Sequence, residues 1–456
     1  MPTLLVKNIH TLVTMDADRC ELQNAALLVR DHRIEQVIEQ VATPSDLPEA
    51  DQVLDLQGKH IVLPGLVNTH HHFYQSLTRV VPAAQNCDLF QWLQTLYPIW
   101  EQLTAEGVYV SAQLAAAELI LSGCTTASDH LYIYPNDCTL DDEIRAIQEI
   151  GMRFHASRGS MSVGESQGGL PPDSLVEPEP QILKDSQRLI EQYHDNSRHS
   201  LVRITLAPCS PFSVSPDLMR ESAALARSYP GVRLHTHLAE NRSDVDYSLS
   251  TFGLEPGDYA ESVGWLGADV WHAHCVQLTD AAIAKFARTG TGVAHCPCSN
   301  MRLASGIAPI RKMCAQGVPV GLGVDGSASN DGGNLIQEAR TAFLLARVRD
   351  CDATAITARQ ILEIATIGGA KVLGRDDIGS LAPGMAADFI AINLDRPQLA
   401  GALHDPVAAL IFCQIDQVDY SFINGKKVVD RGQLTTIDLP RLVEKANQIA
   451  IEMVNK

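Results

Sequence analysis

The 456-residue chain is poor in basic side chains, and it has no long apolar run. Lysine and arginine together number 35 against 54 aspartates and glutamates, which gives a formal net charge of -19. A surface so acidic repels the phosphates of nucleic acids and of anionic membranes, so we expect neither as a partner. No stretch approaches the ~20 consecutive apolar residues that a membrane-spanning helix needs.

The chain also lacks a cysteine framework and the features of a secretion signal. Its eleven cysteines are scattered without a repeating pattern, and a chain of this length buries enough apolar surface to fold without disulfides. The opening stretch, MPTLLVKNIHTLVTMDADRC, has no basic start, long apolar core or small-residue cleavage site. We therefore expect reduced thiols and a cytoplasmic location.

Both ends of the chain are rich in predicted strands, and the middle differs from them. Residues 1–60 contain LLVKNIHTLVTMD and AALLVRDHRIEQVIE, and residues 380–435 contain DFIAINLD and a hairpin signal at Asn424-Gly425. We predict one β-sandwich domain that is built from these two segments. Residues 436–456 are predicted to add a C-terminal helix.

Residues 61–379 alternate short apolar strands with helical stretches, which predicts an α/β fold with a parallel sheet. Helical stretches such as 107–123 and 279–290 separate the strands. Eight strand–helix units over this length favour a (β/α)8 barrel over an open sheet. The predicted strands are 60–70, 125–130, 153–160, 202–210, 232–240, 270–276, 291–297 and 318–326.

The stretch PGLVNTHHHFYQ places three consecutive histidines at the end of the first barrel strand. Catalytic groups of such barrels lie at the C-terminal ends of the strands, and side chains at positions i and i+2 share one face. His70 and His72 are therefore predicted to converge on one ion, while His71 points away. His237 on the fifth strand and Asp325 on the eighth would complete the set. Three imidazoles and a carboxylate suit zinc, with iron(II) as the second choice.

Each of these features has a simpler interpretation when it is taken alone. Two histidines on a strand can hydrogen-bond within the barrel, and an aspartate at a strand end can cap the next helix. A metal site is favoured by the combination of these residues on four strand ends: His70 and His72 on strand one, His237 on strand five, His274 on strand six and Asp325 on strand eight. His71, His235 and His272 keep the structural interpretation, and for His295 both interpretations stay open.

PGLVNTHHH resembles the opening motif of the amidohydrolase superfamily, and HTHLAE, AHC, GVDG and PGMAADF resemble its later motifs. The resemblance runs along the whole chain and implies a (β/α)8 barrel beside a small β-sandwich. Members with two metal ions usually bridge them with a carboxylated lysine on the fourth strand, and VRITLAPCS has no lysine. The resemblance therefore implies the mononuclear deaminase branch and one divalent metal ion per chain.

The same branch implies catalytic roles for three residues. Asp325 would accept a proton from the water that the metal activates, and His274 would orient that water. Glu240, three residues after His237, would protonate a ring nitrogen of the substrate and later assist the departure of ammonia. An ion-paired helix cap is the structural alternative for Glu240.

Four positions are candidate substrate contacts: Gln75, Trp92, Arg158 and Cys209. The amide of Gln75 can pair with both donors and acceptors of a heterocycle edge. Trp92 belongs to QWLQTLYPIW, residues 91–100, which is expected to form a lid in the long loop after the first strand. Cys209 either lies flat against a substrate ring or is simply buried.

The remaining signals concern the identity of the substrate. Relatives that act on adenosine-type nucleosides often carry an acid just before the Trp-Leu pair, where this chain has Gln91, so a free base is favoured. Arg158 and polar groups of the loop 159–169 are candidate contacts for ring oxygens. An arginine at a strand end equally suits an ion pair with a nearby acid.

SDHLYIYP and LAPCSPFSVS, among other stretches, resemble the 8-oxoguanine deaminases of this branch. The resemblance implies a small-molecule heterocyclic substrate, conversion of 8-oxoguanine to urate and ammonia, and a homo-oligomeric assembly. One alternative is another aminated heterocycle, such as isoxanthopterin, guanine or a hydroxylated triazine. The other is a non-catalytic binding protein with the same fold.

Overall fold

The computed structural model describes residues 1–39, 41 and 47–455, which form a closed barrel and a mixed sheet. Residues 40, 42–46 and 456, which belong to the predicted terminal segments, lie outside the described residues. The strands in chain order are β1 (Thr3–Val13), β2 (Glu21–Arg30), β3 (Arg33–Ile38), β4 (Gln52–Asp55), β5 (His60–Pro64), β6 (Leu66–Asn68), β7 (Cys124–Leu131), β8 (Arg153–Ser160), β9 (Val202–Pro208), β10 (Arg233–Leu238), β11 (Val270–His274), β12 (Gly292–His295), β13 (Val320–Leu322), β14 (Phe389–Asn393), β15 (Tyr420–Ile423), β16 (Lys426–Asp430) and β17 (Gln433–Leu434).

Helices occupy the connections between the barrel strands, as strand–helix repeats require. Among the residues that the structure describes, no helix combines the length and the apolar character that a membrane span needs. The helices are α1 (Leu89–Trp100), α2 (Ala105–Leu121), α3 (Leu140–Ile150), α4 (Glu179–Tyr193), α5 (Pro216–Arg227), α6 (Arg242–Phe252), α7 (Pro256–Ser262), α8 (Asp280–Thr289), α9 (Pro297–Arg302), α10 (Ile310–Ala315), α11 (Leu335–Asp350), α12 (Ala358–Glu363), α13 (Gly369–Val372), α14 (Pro406–Phe412) and α15 (Leu439–Val454), with short 3-10 turns at Phe73–Leu77, Pro82–Ala84, Glu165–Gln167, Asp173–Leu175 and Pro397–Leu399 and a π turn at Ile364–Gly368.

Eight parallel strands, β6 to β13, close into a barrel, which confirms the predicted fold class. Ladders of six and seven residue pairs join β7 to β8 and β8 to β9. A single residue pair, Leu322 with Asn68, joins the last strand β13 to the first strand β6. The C-terminal ends of all eight strands meet at one mouth, where the functional groups of such barrels lie.

The second sheet is built from both ends of the chain, as the sequence predicts. Its strand order is β17-β16-β15-β14-β5-β1-β2-β3, and β4 also pairs with β1. The hairpin predicted at Asn424-Gly425 joins β15 to β16, and these two residues have φ angles of 52° and 76°. Positive φ angles at both central positions define the tight turn that this dipeptide favours.

The boundary between the two sheets lies a few residues later than the boundary predicted at residues 60 and 61. β5, which was predicted to belong to the first barrel strand, pairs with β1 and β14 of the mixed sheet. Gly65 separates β5 from β6, and a Cβ atom at Gly65 would lie 2.1 Å from Thr125 Oγ1. Only glycine fits where the chain passes so close to β7. The change of sheet is hidden in the sequence because residues 60–70 are all buried.

A buried ion pair joins the barrel to the mixed sheet. Arg153, the first residue of β8, donates to the Asp388 carboxylate at 2.9 Å through Nε and at 3.1 Å through Nη2. Both side chains are almost completely buried. Asp388 also accepts from the backbone amide of Asn424 at 2.6 Å, so one carboxylate connects the hairpin to the barrel.

Candidate active site

A cavity lies at the C-terminal mouth of the barrel, which is where small-molecule sites of this architecture are found. Its wall combines titratable groups with apolar and aromatic side chains. The lining residues are His72, Gln75, Leu89, Trp92, Leu93, Tyr97, Tyr132, Cys209, Phe212, His237, Glu240, His274, Leu303, Asp325 and Ser329.

Three imidazole nitrogens and one carboxylate oxygen converge at this cavity. His70 Nε2 lies 3.2 Å from Asp325 Oδ1, and His72 Nε2 lies 3.4 Å from the same oxygen. His72 Nε2 and His237 Nε2 are 3.1 Å apart. His70, His72 and Asp325 are buried, and His237 is partly exposed in the cavity wall.

The hydrogen bonds of two of these imidazoles leave their inward nitrogens without hydrogen. His72 Nδ1 lies 2.7 Å from the carbonyl oxygen of His130, and His237 Nδ1 lies 2.6 Å from that of Cys209. A carbonyl oxygen only accepts, so Nδ1 donates in both rings. Burial lowers the pKa of both rings, to about 3 for His72, so each ring is neutral and its Nε2 carries a bare lone pair. Two such lone pairs repel each other at this distance unless a cation lies between them.

The geometry of the cluster fits a zinc ion. Ligands at ~2.0–2.2 Å from a tetrahedral zinc ion stand roughly 3.3–3.6 Å apart, close to the separations between these ligand atoms. His70 Nε2 is buried and makes no hydrogen bond within the described part of the chain, so its lone pair is free for a metal. A nitrogen-rich set with one carboxylate favours zinc or iron(II) over calcium or magnesium. The structure thus brings together His70, His72, His237 and Asp325, the ligands predicted from the sequence.

The reason for this convergence differs from strand alternation. β6 ends before His70, so the three consecutive histidines lie beyond the regular strand. Neighbouring segments hold their backbone instead: the His130 amide donates to the His71 carbonyl at 2.8 Å, and the Asp325 amide donates to the His70 carbonyl at 3.1 Å. His71 does not line the cavity, and its Nδ1 accepts from the His72 amide at 2.7 Å.

Glu240 provides a buried acid beside the ligand cluster. Its Oε2 lies 3.4 Å from His274 Nε2, and its Oε1 lies 3.5 Å from Ser305 Oγ. Burial raises the pKa of Glu240 to about 7, although the charge of His274 opposes the shift. A carboxyl group with such a pKa is partly protonated at neutral pH, so it can both donate and accept a proton.

His274 lies between two carboxylates. Its Nε2 is 3.4 Å from Glu240 Oε2 and 3.9 Å from Asp325 Oδ2, and its Nδ1 is 2.9 Å from Asn300 Oδ1. Burial alone would lower the pKa of His274, but the charges of Glu240 and Asp325 outweigh it and raise the pKa. His274 and Asp325 have φ angles of 67° and 62°, a strained conformation that concentrates at functional sites.

Three of the predicted substrate contacts line the cavity: Gln75, Trp92 and Cys209. Gln75 Oε1 is buried and has no hydrogen-bond partner among the described residues. The Trp92 indole donates to the Ala328 carbonyl at 3.2 Å, which fixes its ring in the wall. Cys209 Sγ lies 3.8 Å from His237 Nδ1, so the thiol is next to the ligand cluster as well as buried.

The segment 91–100, predicted as a loop, belongs to helix α1. Asp88 caps the helix by accepting from the Gln91 amide at 3.0 Å. Its buried side chains recur with helical spacing, which favours a helix over a loop, and four of them line the cavity: Leu89, Trp92, Leu93 and Tyr97. The expected lid over the site is therefore a packed helix.

Arg158 is not brought to the cavity. Its guanidinium is 2% exposed and contacts Glu177 at 2.8 and 3.0 Å and Asp185 at 2.9 Å. The same group lies over the Tyr134 ring, 4.1 Å from its centre. Of the two interpretations offered for Arg158, the structure therefore shows the ion pair with nearby acids. Helix α4 and the segment before it bring two carboxylates to the end of β8. None of the lining residues comes from the loop 159–169.

The histidines with a structural interpretation are buried and do not line the cavity. His272 Nε2 lies 3.0 Å from the Trp265 carbonyl, in agreement with that interpretation. His295 is also buried and does not line the cavity, and burial lowers its pKa to about 3. His235 differs from the others because its Nε2 lies 2.7 Å from Nδ1 of His70.

Several lining residues were not found from the sequence. Tyr132 follows the end of β7 and Phe212 follows β9, so their positions after barrel strands were the available signal. Leu303 and Ser329 come from the segments after β12 and β13, where no motif distinguishes them.

The sequence matches the amidohydrolase family over residues 61–430. It is 47% identical to the 8-oxoguanine deaminase of Pseudomonas aeruginosa over 94% of both chains. It is 37% identical to the hydroxydechloroatrazine ethylaminohydrolase of Pseudomonas sp. strain ADP, over 98% of this chain and 95% of the relative. The structure is similar to that of the atrazine chlorohydrolase of Arthrobacter aurescens TC1 complexed with zinc, with a TM-score of 0.92 and 33% identity over 98% of this chain and 100% of that chain.

The chain belongs to the amidohydrolase family. The family predicted from PGLVNTHHH, HTHLAE and the later motifs is thereby confirmed. The similarity extends through the barrel and the mixed sheet alike, because the matched regions cover almost the whole of each chain.

Proposed function

We propose that this chain is a zinc-dependent hydrolytic deaminase of a free purine-type base, and that it converts 8-oxoguanine and water to urate and ammonia. The observation that carries the proposal is the buried carboxyl group of Glu240 beside the converging imidazoles and Asp325. Hydrolytic deamination of a ring amidine needs a proton donor next to an activated water. Glu240 offers the proton donor, and the neighbouring imidazoles and Asp325 would hold the metal ion that activates the water. The 47% identity to an 8-oxoguanine deaminase supports the choice of substrate.

His70, His72, His237 and Asp325 are the residues that would hold the metal ion, with zinc favoured and iron(II) as the alternative. When bound, the ion supplies a Lewis acid that brings the pKa of water towards 7. Asp325 would accept the proton of that water. Although burial opposes the shift, the neighbouring imidazoles lower the pKa of its carboxyl group and its Oδ2 accepts from Ser329 Oγ at 3.2 Å, so it is in the anionic form that a proton acceptor needs.

Glu240 would move the proton at the substrate. In its protonated form it donates to a ring nitrogen next to the carbon under attack, which makes that carbon more electrophilic. The carboxylate that remains would take the second proton of the attacking water and pass it to the departing amine, which leaves as ammonia. The proton that Asp325 accepted would then restore the carboxyl group of Glu240. His274 keeps the carboxylate in place through the 3.4 Å contact, and its own ring is fixed by Asn300.

The composition of the cavity wall suits a flat heterocycle. Gln75 offers an amide whose buried oxygen lacks a partner among the described residues, so a donor on the ring would satisfy it. Trp92, Leu93 and Phe212 surround the polar groups and exclude water from them. Position 91 carries a glutamine instead of an acid, and this feature favours a free base over a nucleoside.

A second candidate is another aminated heterocycle in the same site. The 37% identity to a hydroxydechloroatrazine ethylaminohydrolase favours a hydroxylated triazine as that alternative. The chemistry would be unchanged, and only the contacts of the wall with the ring would differ.

The test is ammonia release by zinc-loaded protein from 8-oxoguanine, guanine, cytosine, isoxanthopterin and an aminated triazine, with zinc counted per chain. We expect 8-oxoguanine to be turned over fastest, with urate as the product and guanine trailing. Zinc-loaded Glu240→Gln protein provides the background rate. A faster reaction with the triazine would favour the second candidate substrate. Inactivity on all five compounds with metal bound would refute the proposed substrate class. A preparation that binds no metal would refute the hydrolase proposal itself.

Apart from the change of sheet at Gly65, the predicted domain limits stay predictions, as do the homo-oligomeric assembly and the cytoplasmic location. Size-exclusion chromatography with light scattering tests the assembly directly.

A further inference from the structure

Another buried histidine, His235, contacts His70 inside the barrel, through the His70 nitrogen that does not face Asp325. His235 on β10 is buried, and its Nε2 lies 2.7 Å from His70 Nδ1. On its other side, His235 Nδ1 lies 3.1 Å from the carbonyl oxygen of Trp271 on β11. The three groups therefore form a chain of hydrogen bonds that runs from a backbone carbonyl to a candidate ligand.

The direction of this chain follows from the chemistry of its end. The Trp271 carbonyl can only accept, so Nδ1 of His235 must carry the hydrogen. The Nε2 of a neutral His235 ring is then an acceptor, and His70 must donate from its Nδ1. This leaves the lone pair of His70 on Nε2, which is the nitrogen that faces Asp325 at 3.2 Å. A backbone carbonyl two rings away thus selects the tautomer that a metal needs.

The Trp271 side chain fixes the same segment at a second point. Its indole ring stacks on His235, with the ring centres 4.5 Å apart and an angle of 16° between the planes. The indole N–H donates to the Thr69 carbonyl at 3.1 Å, directly before His70. Both side chains are buried, so neither contact competes with water. The stacked pair therefore holds the backbone as well as the ring of His70.

We propose that His235, supported by Trp271, is a positioning residue that fixes the tautomer and orientation of His70 for metal binding. The inference rests on the metal site of the proposed function, but it does not depend on which heterocycle is the substrate. His235 itself contacts neither the cavity nor Asp325. Hydrogen bonds of this kind to ligand histidines typically change metal affinity ~10–100-fold when they are removed.

The test compares His235→Leu and His235→Gln with wild-type protein, using zinc alone as the probe. Zinc affinity is measured by competition with a chelator, and the rate of zinc loss is measured after transfer to excess chelator. We expect His235→Leu to weaken zinc binding by ~10–100-fold, and the metal-free protein to keep its secondary structure. His235→Gln should recover a large part of the loss, because an amide offers an acceptor for His70 and a donor for the Trp271 carbonyl.

His272→Leu is the matched control. His272 is an equally buried histidine on β11, opposite Thr236 in the ladder with β10. Its ring nitrogen Nε2 bonds the Trp265 carbonyl and its ring packs against Phe286, so it is not linked to a candidate ligand. Its loss should change zinc affinity less than threefold, while both leucine variants change the stability of the metal-free protein to a similar degree. The proposal is overturned if His235→Leu binds and releases zinc like wild-type protein, or if the glutamine variant is no better than the leucine variant.

The two proposals fail separately. Wild-type protein that binds zinc but acts on no base would refute the proposed substrate and leave the zinc measurements on His235 valid. Should His235→Leu not fold, His235→Phe takes its place, because it keeps an aromatic ring against Trp271 but can neither donate nor accept a hydrogen bond. The expected loss of zinc affinity and the outcome that overturns the proposal are then the same.

Discussion

Replacement of Glu240 by glutamine should change activity and stability in opposite directions. The amide keeps the shape of the side chain but cannot deliver a proton to the substrate. Loss of a general acid reduces the rate by roughly 10²–10⁴-fold, which corresponds to about 3–5 kcal/mol of activation free energy. Zinc content should stay at the wild-type level, because Glu240 is not among the ligand residues.

The effect on stability follows from the burial of the carboxyl group. Burial raises the pKa of Glu240 from 4.5 to about 7 in the folded protein, so ionisation favours the unfolded chain. Below pH 4.5 both states are protonated and the substitution has no such effect. As the pH rises from 4.5 through about 7, the wild-type protein loses stability, and above this window the difference reaches about 3 kcal/mol. Glutamine does not ionise, so Glu240→Gln should become the more stable protein as the pH rises.

The assay is urea unfolding of metal-free wild-type and Glu240→Gln proteins at pH 5 and pH 8.5, followed by tryptophan fluorescence. The difference in the free energy of unfolding should be small at the lower pH and favour the variant at the higher pH. Glu165→Gln, which removes an exposed carboxylate, is the control for the change in net charge and should show no such trend. Near-normal kcat in Glu240→Gln, or a variant that is less stable at pH 8.5, would refute the reasoning.

Three further predictions follow from the geometry of other residues. Arg158→Met should lower the free energy of unfolding by about 3 kcal/mol, because it leaves two carboxylates without their cation. The KM should stay unchanged. A tenfold higher KM at wild-type stability would instead place this arginine at the substrate. His71→Asn keeps an acceptor for the His72 amide and should retain zinc, whereas His72→Asn should lose it; equal zinc loss, measured by atomic emission, would contradict the assignment. Gly65→Ala should destabilise the protein by about 1–3 kcal/mol, because the added methyl group meets Thr125, and an unchanged urea midpoint would show that the strand moves freely.

The sequence allowed the barrel and the cluster of candidate ligand residues to be predicted because both have local signals. Short apolar runs marked the strands, and histidines, an aspartate and a glutamate at the strand ends marked the site. The hairpin at Asn424-Gly425 is equally local, since the dipeptide itself adopts the required φ angles. These elements depend little on which other part of the chain packs against them.

The features that were missed depend on contacts between distant segments. The chain changes sheet after β5 within a continuous buried run. The pairing of β5 with β1 and with β14, which follows more than three hundred residues later, reveals this change. The partners of Arg158 come from another element, so its charge alone could not distinguish a substrate contact from an ion pair. The link between His235 and His70 requires two strands to face each other across the barrel, and no spacing in the sequence records that.

The seam of the barrel gives the metal site a consequence for biosynthesis. Strands β6 and β13 meet through one residue pair, and the candidate ligands His70 and Asp325 come from the two sides of that seam. An ion bound there would fasten the beginning of the barrel to its end. A nascent chain has at most three of the four ligands until residue 325 has been synthesised, and the seam cannot close before then. Metal binding would thus occur late, once the barrel strands are complete. When metal is depleted during expression, limited proteolysis should cleave the chain first at this seam.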